Sequence, residues 1–299
     1  MYHTPVMLTE SINALNVREG GVYVDATFGG GGHSAEILRG LGKGRLIAFD
    51  QDEDALANHP GDERLELVHQ NFRYLKNFLR MYECLPVDGI LADLGISSYQ
   101  IDEGSKGFST RFDAPLDMRM DRRRVQTAAD VVNSYDEDGL RSMFRKYADL
   151  SNAHRLAVNL IEARQQKPIL TTGHLREICQ KLAPRHQENK FLAQVFQALR
   201  IEVNEEMSVL GEFLEQTIEC LKPGGRLVIM SYHSLEDRMV KNFLRSGNLE
   251  GDIKKDFFGN VLTPFTLITR KAISASDEEM ENNPRSRSAH LRVAERREL

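Results

Sequence analysis

The 299-residue chain is 41% hydrophobic and 28% charged with a formal net charge of −5, soluble composition for one large domain or two moderate ones, and its acidic balance argues against a general nucleic-acid coat. No run approaches the ~20 apolar residues of a membrane span, the N-terminus lacks a signal-peptide pattern, and Cys84, Cys179 and Cys220 form no metal-ligand spacing, so a cytoplasmic protein with no membrane segment and no metal is expected. With no tryptophan and 7% aromatic residues, a stacking platform for single-stranded nucleic acid is not expected either.

Leu8, Ile12 and Leu15, at spacings of four and three, predict a short helix. Val22-Tyr23-Val24-Asp25 reads as a short buried strand, followed by Gly29–Gly32 and a helix carrying Ile37, Leu38 and Leu41. Strand, glycine turn and helix make the ligand-binding corner of a doubly wound α/β domain. Glycine lets the backbone turn sharply and a ligand approach without meeting a Cβ, and the helix start presents free N–H groups. Residues 45–50 form an apolar strand ending in Asp50, about where an acid that grips a ribose is expected. A helix over 52–58, a third strand over 65–70 and a helix over 72–82 follow. A fourth strand over 87–95 again places an acid, Asp93, near its end.

From about Gly104 to Glu188 the alternation gives way to helical stripes such as Leu140, Met143, Phe144 and Tyr147. It resumes with one or two helices over 191–221, the turn Lys222-Pro223-Gly224-Gly225, a fifth strand over 226–231 and a helix over 235–244. A sixth strand over 266–271, an acidic loop over 277–281 and a seventh strand over 289–295 complete the chain. The architecture expected is a Rossmann-like seven-stranded α/β core, residues 1–108 and 189–299, interrupted by a helical domain at 109–188.

Two cofactors compete for the glycine corner. A dinucleotide site wants G-x-G-x-x-G, but Ser34 stands where the third glycine would fall. S-adenosylmethionine has no pyrophosphate to cradle and tolerates a looser turn, with acids at the ends of the second and fourth strands. Asp50 and Asp93 stand there. Either acid alone reads equally well as a helix cap; the pair at matching strand ends favours the methyltransferase. Lys222–Gly225 is also similar to the turn before the fifth strand of class I methyltransferases.

Further stretches are too particular for periodicity to explain. They are Asp93-Leu94-Gly95-Ile96-Ser97-Ser98-Tyr99-Gln100, Gly107-Phe108-Ser109, Pro115-Leu116-Asp117-Met118-Arg119-Met120-Asp121, Phe196-Gln197-Ala198-Leu199-Arg200-Ile201, Ser231-Tyr232-His233-Ser234-Leu235-Glu236-Asp237-Arg238 and Asn283-Pro284-Arg285-Ser286-Arg287-Ser288. With His3-Thr4-Pro5-Val6 and Thr27–Ser34, they resemble the RsmH (MraW) family almost end to end. The resemblance implies a class I S-adenosylmethionine-dependent methyltransferase acting on the N4 of a cytosine in the decoding region of 16S ribosomal RNA in the small subunit. It implies cofactor contacts at Gly31, Gly32, His33, Asp50, Phe72, Asp93 and Gln100. Tyr147–Asn152 and Tyr99 depart from the family pattern, both outside that set.

Related amino-group methyltransferases place an Asp/Asn-Pro-Pro-aromatic stretch after the fourth strand, and Asp93-Leu94-Gly95-Ile96 occupies its place here. The proton acceptor is therefore sought at Asp93 and at His233, which is equally readable as a structural histidine bonded to Asp237. Arg119, Arg122, Arg123 and Arg124, beside Met118 and Met120, read as a phosphate-binding face, and Arg285 and Arg287 as a second at the mouth of the pocket. A homodimer is left open. The non-enzymatic alternative is an RNA-binding assembly factor that keeps the cofactor pocket.

Overall fold

The computed structural model describes residues 5–298, so His3 and Thr4 of the first motif lie outside the described residues. In chain order the elements are α1 (Leu8–Leu15), β1 (Val22–Asp25), α2 (Gly32–Gly40), β2 (Arg45–Asp50), β3 (Leu65–His69), α3 (Leu75–Met81) and β4 (Val87–Asp93). Next come α4 (Ser98–Asp102), α5 (Ala128–Ser134), α6 (Glu137–Ala148), α7 (Ala153–Gln166), α8 (Thr172–Gln180), α9 (Glu188–Asn204) and α10 (Glu206–Cys220). The chain finishes with β5 (Leu221–Ser231), α11 (Ser234–Ser246), β6 (Phe265–Leu267), β7 (Ile273–Ser274), α12 (Asp277–Asn282) and β8 (His290–Arg296). It separates into two units, one running up to Gly95 and resuming at Met207, the other Ile96–Glu206.

The first unit is built on a sheet of order β3-β2-β1-β4-β5-β8-β6, with β7 added against β8. β1 to β5 run parallel, β8 returns antiparallel to β5, and β6 lies antiparallel to β8. Successive side chains of a strand point to opposite faces. Leu46, Ala48, Leu91, Val228 and Met230 therefore join one core with Tyr23 and Ile37. Ile47, Phe49, Ile90, Ala92, Leu227 and Ile229 join the other with Phe213 and Phe243. A sheet covered on both faces needs continuous apolar strands, which is what made them readable.

Three expectations are revised. The sixth strand stops at Leu267 because the N–H groups of Ile268 and Thr269 both turn to the Val293 carbonyl. The two-residue β7 then makes an eighth strand. The acidic loop is the helix α12: Ser276 Oγ accepts the Glu279 N–H as its cap, and three acids sit in its first turn, where the helix dipole favours them.

The helical unit is wider than 109–188. Phe191, Leu192, Val195 and Leu199 of α9 are buried with Phe144, Leu156 and Leu160, and Phe108 joins the same core at the front. The helix breaks only at Glu205, its left-handed C-cap at φ 53°. Within this unit Asn204 is buried and fully bonded: its amide donates to the Met118 and Arg200 carbonyls, and its oxygen accepts the Met120 N–H at 2.8 Å. Among the described residues no helix is long and apolar enough to cross a membrane. All three cysteines are buried, and burial pushes the Cys179 and Cys220 thiols up to about 12.

Candidate active site at the carboxyl edge of the sheet

Four strands of the first unit end in polar groups along one edge. In sheet order they are Asp50 on β2, Asp25 on β1, Asp93 on β4, and Tyr232 directly after β5. Phe72 follows β3 at the far end. Its turn is set by Asn71, whose side chain accepts the Arg73 N–H and donates to Gln51 Oε1, and its ring meets Phe213 edge-on at 5.0 Å.

The glycine turn joins β1 to α2. Gly31 holds φ 75°, a left-handed value that favours glycine. Gly32 has a different reason: a Cβ there would run into the Pro5 ring. The N-cap residue Gly31 supplies no side-chain acceptor to the first N–H groups of α2. Ser34, which took the place of a third glycine, is buried and donates to Asp25 Oδ2 at 2.7 Å. Asp25 Oδ1 accepts the Thr27 N–H, so this carboxylate ties the strand end to the helix. Burial raises its pKa, and the bonds from Ser34 and Thr27 only partly offset that.

Asp50 accepts the Gly29 N–H at one oxygen and the Asp52 N–H at the other, both at 2.8 Å. Burial nevertheless pushes its carboxyl up to about 6, with Asp52 and Asp25 adding repulsion. Asp93 also reaches about 6: burial dominates, His33 and Tyr232 oppose it, and Asp25 and Glu236 reinforce it. The Tyr232 hydroxyl donates to Asp93 Oδ1 at 2.6 Å, while the Asp93 N–H donates to Thr27 Oγ1 at 2.7 Å. Burial and the neighbouring carboxylates hold the Tyr232 phenol far above its ordinary range, so it remains a donor.

His33 is buried, and its Nε2 lies 3.2 Å from the Val6 carbonyl, which accepts only, so that nitrogen carries the proton. Burial keeps the ring below its ordinary pKa of 6.5. The bare Nδ1 then faces Asp93 Oδ2 at 4.0 Å. Two acceptors facing across such a gap leave a place for an N–H donor.

The structure thus brings together Gly31, Gly32, His33, Asp50, Phe72 and Asp93 along one edge. Gln100 belongs to the other unit, where its side chain accepts the Ser97 N–H at 3.1 Å in the capping box of α4. His233 is the N-cap of α11. Its partner is Glu236, not Asp237: Nδ1 takes the Glu236 N–H at 3.4 Å, and Nε2 lies 3.1 Å from Glu236 Oε1. Asp237 is held instead by Arg292. Glu236 Oε2 accepts the Tyr232 and His233 N–H groups, so this cap fixes the backbone that carries Tyr232. Tyr232 and Asp25 were passed over in the sequence. The signal for each was there: a third acid at a strand end, and a phenol directly after the fifth strand.

The arginine-rich stretch of the helical unit is largely self-paired. Arg119 binds Asp117 and the carbonyls of Arg122 and Arg124, Arg123 binds Asp121, and Arg124 pairs with Glu205 at 3.0 Å. Met118 and Met120 are buried in that unit's core. These charges hold a loop together, which weakens the reading of an open phosphate face.

Residues 1–297 match the sequence profile of the MraW methylase family. A protein of Parabacteroides distasonis named ribosomal RNA small subunit methyltransferase H is 56% identical over 297 residues, covering 99% of this chain and 97% of its own. The protein of that name from Phocaeicola vulgatus is 55% identical over 298 residues, covering 99% and 98%. Among solved structures, an rRNA methylase from Streptococcus thermophilus aligns over 100% of this chain and 99% of its own at 15% identity, with a TM-score of 0.43.

Proposed function

Because the chain belongs to the MraW methylase family, we propose that it transfers a methyl group from S-adenosylmethionine to the N4 amine of a cytosine in the decoding region of 16S ribosomal RNA. The enzyme is an S-adenosylmethionine-dependent rRNA methyltransferase; the base, the atom and the region are the finer part of this reading.

The observation that carries it is the order of groups along the edge. An apolar ring after β3, a carboxylate on β2, an uncapped helix start after β1 and a second carboxylate on β4 run in the order adenine, ribose, amino-acid end. Phe72 offers an apolar face to the adenine. Asp50 accepts from the ribose hydroxyls. The first N–H groups of α2, behind Gly31 and Gly32, suit a carboxylate. His33 Nδ1 and Asp93 Oδ2 take N–H donors into the gap between them. A dinucleotide fits less well, since Ser34 replaces the third glycine and binds Asp25.

When bound, S-adenosylmethionine supplies an electrophilic methyl group on a sulfonium. The protein's own part is to position the amine, exclude water and receive the proton the amine sheds. Cytosine N4 is a poor nucleophile because its lone pair is delocalised into the ring, so positioning contributes most. Asp93 is the acceptor: a carboxylate with a pKa of about 6 is ionised at neutral pH and still basic enough to take a proton. His233, held by Glu236, supports Tyr232. The target base must leave its stack to reach the edge.

The test is methyl transfer from labelled cofactor to small subunits and to free rRNA, read by nucleoside mass spectrometry. N4-methylcytidine at one position supports the reading. Cofactor binding without turnover leaves the assembly-factor alternative, and label on another atom or base refutes the finer assignment.

A further inference from the structure

At the end of the sheet opposite the acids, the chain leaves α11 and projects an arm before entering β6. β6 starts beside Arg296, whereas β8 starts beside Ser231 at the acid edge. The arm is a small hairpin. The Leu262 N–H donates to the Lys254 carbonyl at 2.8 Å, Lys255 pairs with Val261, and the Asp256 N–H donates to the Asn260 carbonyl at 2.9 Å. Asp256 organises the tip: Oδ1 accepts the N–H groups of Phe258 and Asn260, and Oδ2 accepts the Asn260 amide.

This built turn presents Phe257 and Phe258, 98% and 86% exposed, with ring centroids 5.7 Å apart and planes at 87°. Among the other described phenylalanines only Phe112 reaches 45%. The rings are therefore held out, and at 87° they cannot satisfy each other by stacking face to face. Lys254 and Lys255 are exposed beside them, while the one acid of the tip, Asp256, is turned inward on the loop. The acids Asp252 and Glu298 lie at the base, where Glu298 lines a cavity with Pro264 and Ile218.

A bare aromatic face next to cations matches unpaired RNA, where bases stack on aromatic rings and phosphates meet lysines. We propose that the arm docks on an unpaired segment of ribosomal RNA, a phenylalanine ring stacking on one base and Lys254 and Lys255 meeting phosphates. A substrate the size of a ribosomal subunit can be held at both ends of the sheet. This rests on the reading of rRNA as substrate and adds a second contact, remote from the reaction. Low overall aromatic content hides it because both rings sit on one tip.

Small subunits are the substrate of the test, with Phe257→Ala/Phe258→Ala and Lys254→Ala/Lys255→Ala as variants. The aromatic variant should raise KM for subunits ~5-fold or more, the lower end of what stacking on one base is worth. Its cofactor Kd, kcat at saturation and melting temperature should stay within error, because both side chains are exposed. The lysine variant should flatten the dependence of log affinity on log salt by ~0.7 per lost contact. A photoreactive phenylalanine analogue at Phe258 should crosslink to an unpaired rRNA nucleotide. Unchanged KM, or crosslinks to a ribosomal protein or to a second copy of the chain, overturns the proposal. If the unaltered protein transfers no methyl to subunits, the proposed reaction fails, and the crosslink still decides the arm.

Discussion

Replacing Tyr232 by phenylalanine removes one bond and keeps the ring. That bond, from the phenol to Asp93 Oδ1 at 2.6 Å, favours the ionised carboxylate. A hydrogen bond to a charged group contributes ~1.5–3 kcal/mol, and ~1.4 kcal/mol corresponds to one pKa unit. The Asp93 carboxyl, already at about 6, should therefore move up by ~1–2 units, toward the lower end because its side chain is 23% exposed. The sign follows from its proposed role as base: a higher pKa leaves less of it ionised at neutral pH. The acidic limb of kcat/KM, which reports the free enzyme, should shift alkaline by the same ~1–2 units, with rates converging at high pH. Burial lowers the His33 pKa, opposite to the direction in which the limb should move. The assay is methyl transfer to small subunits across the pH range, with Asp93→Asn as the control that abolishes the limb. An unmoved limb, or an equal loss at every pH, would refute the argument and leave Tyr232 a packing residue.

Asp50→Ala should weaken S-adenosylmethionine binding by about 1.5–3 kcal/mol, the worth of bonds to a charged group, read by calorimetry; unaffected binding would remove Asp50 from the site. The same calorimetry should show proton release on binding below pH 6, because Asp50 and Asp93 are protonated there in the free protein and ionised against ribose hydroxyls and N–H donors; affinity should rise with pH up to about 6 and level off above, and a pH-independent Kd contradicts this. Asn204→Ala should destabilise the helical unit by ~1–3 kcal/mol, since it takes their side-chain partner from the Met120 N–H and the Met118 carbonyl; denaturant unfolding within error of the parent would show that loop to be held otherwise. Arg285→Ala/Arg287→Ala should flatten the salt dependence of RNA binding by ~0.7 per contact, because the turn Pro284–Ser288 leads into β8 at the acid edge. Arg296→Ala should lower the melting temperature and leave that slope alone, its guanidinium being bonded to the Ile218 and Pro264 carbonyls.

The strands were legible because a sheet covered on both faces needs unbroken apolar runs, and the acids ending β2 and β4 interrupt those runs visibly. The returning last strand was legible too, from the alternation of residues 289–295. What local pattern could not carry were the contacts between segments far apart in the chain. Gly32 looked like a residue required by a ligand, yet Pro5, from the segment before α1, accounts for its missing side chain. Ser34 looked like the absence of a glycine, and it is the donor that holds Asp25. Asp237, one turn beyond His233, was a plausible partner for it, but Arg292 of β8 takes Asp237 and leaves Glu236 to the histidine. The boundary of the helical unit failed for the same reason: α9 resembles the helix before a strand, and only its packing against α6, α5 and α8 assigns it to the other core. In each case a partner on another element decided between two local readings that the sequence held in balance. At the candidate site that partner is Tyr232. A capping box on α11 fixes its backbone, and its hydroxyl gives Asp93 one engaged oxygen, leaving the other toward His33. A strand-end acid used as a cap would accept backbone N–H groups from the next helix. Asp93 instead takes the phenol of Tyr232, directly after β5, and directs its second oxygen toward His33, the arrangement expected of the proposed site acid.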